Sequence, residues 1–211
     1  MKHIPPALSQ VLRLVVLATI LGVPAAYADD YADVSQLARS GKQTEALAKA
    51  DAYLATNPRD PQMRFIKGVI LTDAGKTDDA VATFTKLTQD YPELPEPYNN
   101  LAVLYAAQSQ FDKARAALEM AVRTNPSYAV AYENLGDVYA RLAAQSYAKA
   151  VQLDASTSAS VTPKLTLIRS MFSSAAKGHK SGAATPAAAA SAPVAAASAP
   201  AAAKTSPSKK P

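Results

Sequence analysis

Side-chain catalysis needs a nucleophile, a base or a metal ligand, and this 211-residue chain offers few of them. It has no Cys and two His, His3 and His179. Thiol chemistry and cysteine-ligated metal sites are therefore excluded, and the stretch between the histidines lacks the commonest general base and the commonest zinc ligand. Ser35, Ser109 and Ser127 have no His to activate them. The acidic doublets are Asp29-Asp30 and Asp78-Asp79. The second lies where a helix is expected to start, and carboxylates there favour the helix dipole; the first lies near the N-terminus. There is no glycine-rich phosphate loop and no calcium-loop spacing. No catalytic residue, cofactor or metal is assigned, and an enzyme is not expected. Binding is the chemistry that remains.

The net charge of +5 invites a nucleic-acid reading, but it is unevenly distributed. Residues 1–28 carry two basic and no acidic side chains, residues 29–156 carry 13 basic and all 17 acidic ones, and residues 157–211 carry seven basic and none acidic. The central segment is therefore mildly acidic, and no nucleic-acid partner is expected.

The two ends have their own compositions. Lys2 and Arg13 precede an apolar run at 14–23, and Ala26-Tyr27-Ala28 supplies a small-x-small site. This is the pattern of a secretory signal, too short to span a bilayer, with cleavage expected after Ala28 and the mature chain exported, periplasmic or secreted. Residues 178–211 are built from Ala, Pro, Ser and Lys, with Pro186, Pro193, Pro200 and Pro207 at regular intervals. Runs that short do not nucleate helix in water, so a disordered tether is expected. Its lysines solubilise it or touch an anionic envelope surface.

Between the ends the sequence repeats. Pro58, Pro92 and Pro126 recur at one constant interval, and the same interval separates Ala46, Ala80 and Ala114, and Gly41-Lys42 from Gly75-Lys76. One unit reads Tyr98-x-x-Leu101-Ala102-x-x-Tyr105, then Ala114-x-x-x-Leu118, Ala121 and Pro126; the next opens Tyr132-x-x-Leu135-Gly136-x-x-Tyr139. This 34-residue period and the residues that mark it resemble the tetratricopeptide repeat family. The resemblance implies an all-α solenoid of helix pairs, with units at about 29–60, 61–94, 95–128 and 129–156 and a frayed or capping first unit. Gly68, Ala102 and Gly136 are the expected small residues where first helices approach second helices. Leu71, Tyr105 and Tyr139 are expected to fill the space between units, and proline ends each second helix.

The fourth unit departs from this pattern. Ala150, the counterpart of Ala121, follows Tyr139 five places sooner than Ala121 follows Tyr105, and no Gly or Pro lies between Asp137 and Thr162. The spacing predicts one unbroken helix from about Val130 to Leu153. After it, Thr162-Pro163 reads as an N-cap with proline in the first helical position, opening a capping helix over 162–176 with Leu165, Ile168 and Phe172 as its apolar stripe.

The resemblance also implies a groove lined by first helices that holds a partner segment. The matching positions are Phe65 and Val69, Asn99 and Val103, and Glu133 and Asp137. Asn100 and Asn134, one period apart and each directly before a Leu, look like the asparagine ladder of some family members. A carboxamide offers both a donor and an acceptor to a peptide backbone. The groove is neutral to acidic, without the Lys and Arg of the family's carboxylate-clamp variety. The expected function is a cell-envelope scaffold or adaptor that binds a protein or peptide segment. The alternative is a structural element tethered by its basic tail to peptidoglycan or an anionic membrane surface.

Overall fold

The structure, a computed structural model, describes residues 24–178 and the side chains of residues 30–172. Most of the expected signal and nearly all of the expected tail lie outside the described residues. The described helices are α1 (Pro24–Arg39), α2 (Gln43–Thr56), α3 (Pro61–Asp73), α4 (Thr77–Asp90), α5 (Pro95–Ala107), α6 (Phe111–Thr124), α7 (Ala129–Leu153) and α8 (Ser158–Gly178). They pack in chain order as pairs. The expected cleavage site, Ala28, falls within α1.

The turn inside each of the first three units is set by one residue in the left-handed region: Gly41 at φ 76°, Gly75 at φ 70° and Ser109 at φ 59°, each one period after the last. Each closes its first helix in the same way. Lys42, Lys76 and Gln110 donate their backbone N–H to the carbonyls of Leu37, Leu71 and Tyr105, which satisfies carbonyls a helix end leaves open. Serine in that conformation costs about 1 kcal/mol relative to glycine, so the third turn is kept against its own local preference. The next position in the series, Ala143, has no such turn and lies inside α7.

Between units the chain turns through Asn57-Pro58, Tyr91-Pro92 and Asn125-Pro126. The second helices end at Thr56, Asp90 and Thr124, two residues before each proline. Asp60 caps α3 by accepting from the Met63 N–H at 2.7 Å. Its oxygen Oδ2 also accepts from the hydroxyls of Tyr31 and Tyr53, tying α1, α2 and α3 together. The first unit is therefore a full helix pair and not a frayed one, with Val34, Ala46 and Ala50 completely buried.

The core runs along the array as three adjoining apolar clusters. The first joins Val34, Ala46 and Ala50 to Met63, Ile66 and Ile70, and the second centres on Phe65, Phe84, Leu87 and Leu101. The third joins Ala102, Ala114 and Leu118 to Ala131, Leu135 and Val138. Close approach inside a pair is visible at Gly68, where an added Cβ would sit 2.7 Å from the Phe84 ring.

In the fourth unit α7 continues straight from Ala129 to Leu153, 25 residues, and the second helix of a pair never forms. Two expectations fail for that reason. Gly136 faces open space, with nothing within 4 Å of an added Cβ, and Tyr139 is 48% exposed instead of filling a space between units. The chain reverses at Asp154, whose side chain accepts from the Ser156 N–H, and passes through a short 3-10 turn, Ala155–Thr157, into α8. The last helix thus starts at Ser158, and Pro163 lies inside it rather than in its first position. Asp154 caps the 3-10 turn that leads into α8, and Thr162 lies a full turn inside the helix, away from its start. Helix α8 runs back antiparallel to α7: the Lys164 ammonium lies 5.2 Å from the Tyr147 ring and the Arg141 guanidinium 3.9 Å from the Phe172 ring.

Candidate binding groove

The first helices α3, α5 and α7 carry every residue expected on the groove, but burial divides them. Phe65 and Val69 are 2% and 6% exposed and belong to the core. The Phe65 ring packs against Phe84 with centroids 5.6 Å apart, so it has no face left for a partner. Asn99 is fully buried. Asn100 is half-buried and donates its Nδ2 to the Glu96 carbonyl, one turn earlier in its own helix, at 2.9 Å. Val103 and Asn134 are half-buried, and Glu133 and Asp137 are exposed.

The ladder expected from Asn100 and Asn134 is therefore built differently. Asn134 donates Nδ2 to Asn99 Oδ1 at 2.8 Å, joining the first helices of successive units. Asn99 points inward and is fully buried, while its neighbour Asn100 is half-buried. The Nδ2 of Asn99 is buried with no hydrogen-bond partner among the described residues. One amide is thus held by packing, and it fixes the orientation of the other.

Asn134 lies at a hollow of about 420 Å³ where α5, α6, α7 and α8 meet, lined also by Val103, Ala106, Asp137, Arg141 and Phe172. Most of its lining is apolar, with Asn134, Asp137 and Arg141 among the polar groups, the usual make-up of a site that takes a small ligand or a side chain. Burial, and then repulsion from Glu133, pushes the Asp137 carboxyl above the usual carboxylate range, and Arg141 partly offsets this. Arg141 and Phe172 were not among the expected groove residues. The signal for Phe172 was present in the stripe of the last helix, but that stripe said nothing of which face α8 would cover.

Comparison with known proteins agrees with the architecture. Two family models, both described as tetratricopeptide repeat, match residues 31–95 and 71–135. The chloroplastic tetratricopeptide repeat domain-containing protein PYG7 of Arabidopsis thaliana is 44% identical over 50 residues, 24% of this chain and 17% of that protein. The probable biofilm formation methyltransferase WspC of Pseudomonas putida is 29% identical over 92 residues, 44% of this chain and 22% of that protein. The chain thus spans about a fifth of the length of these curated relatives. Among solved structures, MamA of Desulfovibrio magneticus superposes with a TM-score of 0.51 at 21% identity, over 70% of this chain and 92% of that one. A thermophilic tetratricopeptide repeat protein of Thermus thermophilus gives 0.51 at 21% identity, over 72% and 83%. At such identity the likeness concerns the fold. The turns that recur every 34 residues, the small-residue approach at Gly68 and these matches converge on one fold: residues 31–135 form an all-α solenoid of tetratricopeptide repeat type.

Proposed function

We propose that this protein is an exported adaptor that holds a segment of a partner protein in the hollow beside Asn134. Tetratricopeptide repeat proteins generally mediate protein–protein interactions, and the fold here offers the same kind of surface. The observation that carries the reading is the Asn134 amide, oriented by the buried Asn99 at the edge of an apolar hollow. A side chain fixed before the ligand arrives loses less entropy on binding. Its oxygen is free to accept from a backbone N–H, while Val103 and Phe172 offer apolar contact and Asp137 and Glu133 favour a segment with positive charge. Export is supported by Lys2, Arg13, the apolar run at 14–23 and Ala26-Tyr27-Ala28.

A photo-crosslinking amino acid placed at Val103 tests the groove in living cells. The expected result is a discrete adduct that is lost on Asn134→Ala, with the same probe at Gln152 giving none. Adducts indistinguishable between the two positions, or unaffected by Asn134→Ala, would defeat the groove reading. Mass spectrometry of the exported chain tests the compartment: a mature N-terminus at Asp29 is expected, and an uncleaved chain in the cytoplasm would reject it.

A further inference from the structure

A second hollow, of about 910 Å³, lies among α2, α3 and α4, and shares no lining residue with the first. Four cations border it: Arg59 in the turn before α3, Arg64 and Lys67 on α3, and Lys86 on α4. Arg64 Nη1 lies 2.8 Å from Asp90 and Lys86 Nζ 3.5 Å from the same carboxylate. Lys67 is drawn away to Asp51 at 2.6 Å. Arg59 is exposed and takes part in none of these pairs. Four positive charges thus meet two negative ones, in a repeat segment where acids outnumber bases.

The 34-residue period shows that these cations are not part of the packing pattern. One repeat further on, Arg59, Arg64, Lys67 and Lys86 become Glu93, Tyr98, Leu101 and Met120. The positions of Arg64 and Lys67 are the aromatic and Leu positions of the repeat, occupied again by Tyr132 and Leu135 in the fourth unit. The Arg64 side chain is only 12% exposed, so it fills the place of an aromatic with its stem and carries its guanidinium to the hollow. Apolar residues would pack these sites at lower desolvation cost, and a local rule broken twice in one hollow marks a site kept for something other than packing.

We propose that this hollow is a second binding site, and that its ligand is an acidic polypeptide segment of a partner. Asp90 already shows how a carboxylate is received, between a guanidinium and an ammonium. The remaining cations stand apart from that point, on α3 and in the preceding turn. Such spacing suits carboxylates distributed along a chain better than the compact charge of one phosphate. The Tyr91 ring, 5.9 Å from the Arg64 guanidinium, adds an amphipathic wall. The chain would then hold two partner segments of opposite charge, one in each hollow.

Fluorescence anisotropy of labelled hexaglutamate titrated with the full chain tests this. Arg64→Tyr with Lys67→Leu restores the residues of the following repeat. It should weaken binding about tenfold or more, a difference of roughly 1.4 kcal/mol, while Tm holds or rises. Arg59→Ala with Lys86→Ala changes two exposed side chains and should weaken binding similarly, with Tm unchanged. The lysine-rich tail is common to all variants and cancels in the comparison. Equal affinity of wild type for hexaglutamate and hexaserine would overturn the proposal, as would hexaglutamate affinity unmoved by either pair of substitutions. It would also be overturned if phosphatidylglycerol vesicles, and not hexaglutamate, lost binding in these variants.

Discussion

The second and fourth units both carry a glycine at the approach position of the first helix, yet Gly68 and Gly136 sit in different surroundings. Gly68 lies under the Phe84 ring, and Gly136 under nothing. The difference lies in the second half of each unit. Phe84 and Leu118, equivalent in units two and three, are fully buried, and the next member of the series is the exposed Gln152. Where the second helix folds back, the first helix needs a small residue and the second a large apolar one. Where α7 runs straight, both requirements lapse, although the small residue remains in the sequence.

The largest expected effect separates the two units at that position. Phe84→Ala should cost about 3–5 kcal/mol, because a fully buried ring leaves a cavity between α3 and α4. Gln152→Ala should leave stability within about 0.5 kcal/mol, since its side chain is solvated. Chemical denaturation of both variants measures the contrast. Comparable losses at the two sites would mean that the fourth unit folds back after all.

A smaller effect of opposite sign is expected at the glycines. Gly68→Ala should destabilise by about 1–3 kcal/mol, because the new methyl meets a ring that is packed among Phe65 and Leu87 and cannot give way freely. Gly136→Ala should stabilise by about 0.5–1 kcal/mol, through helix propensity alone. Thermal unfolding should therefore move Tm in opposite directions, and a fall at both sites would contradict the open space around Gly136.

Much of this was legible in the sequence, and the boundary has a physical cause. Helix content, the 34-residue period and the unbroken helix over 130–153 follow from local spacing and from the presence or absence of residues that tolerate a turn. Pro163 misled because proline is compatible with a first helical turn, while α8 starts at Ser158, directly after the 3-10 turn that Asp154 caps where the chain reverses. The groove was harder. Whether Phe65 or Asn99 faces out depends on rotation of a helix about its axis by a fraction of a turn, which neighbouring packing decides. The same rotation turned Asn100 onto the Glu96 carbonyl and sent Asn99 inward to meet Asn134. The position of Lys67 in the Leu slot was visible as a break in the pattern, but its charged neighbours Lys86 and Asp90 lie on another helix and join it only in three dimensions.

The smallest expected effect concerns Asp137, which occupies the position of Val69 and Val103 in the two preceding units. Its residue surface is largely exposed, yet partial screening from water and repulsion from Glu133 raise its carboxyl above the ordinary 3.8 in the folded chain. Between 3.8 and that raised value the folded state holds a proton that the unfolded state has released, so stability declines as pH climbs through this window and is level above it. Asp137→Asn should therefore raise Tm slightly at neutral pH and not at all once pH falls below the ordinary carboxylate range, where both states are protonated. If Asp137 serves a positively charged partner segment, the same substitution should weaken crosslinking from Val103 while the protein becomes more stable. A parallel loss of both would make Asp137 an ordinary structural carboxylate, and the fourth unit would then differ from the others in packing alone.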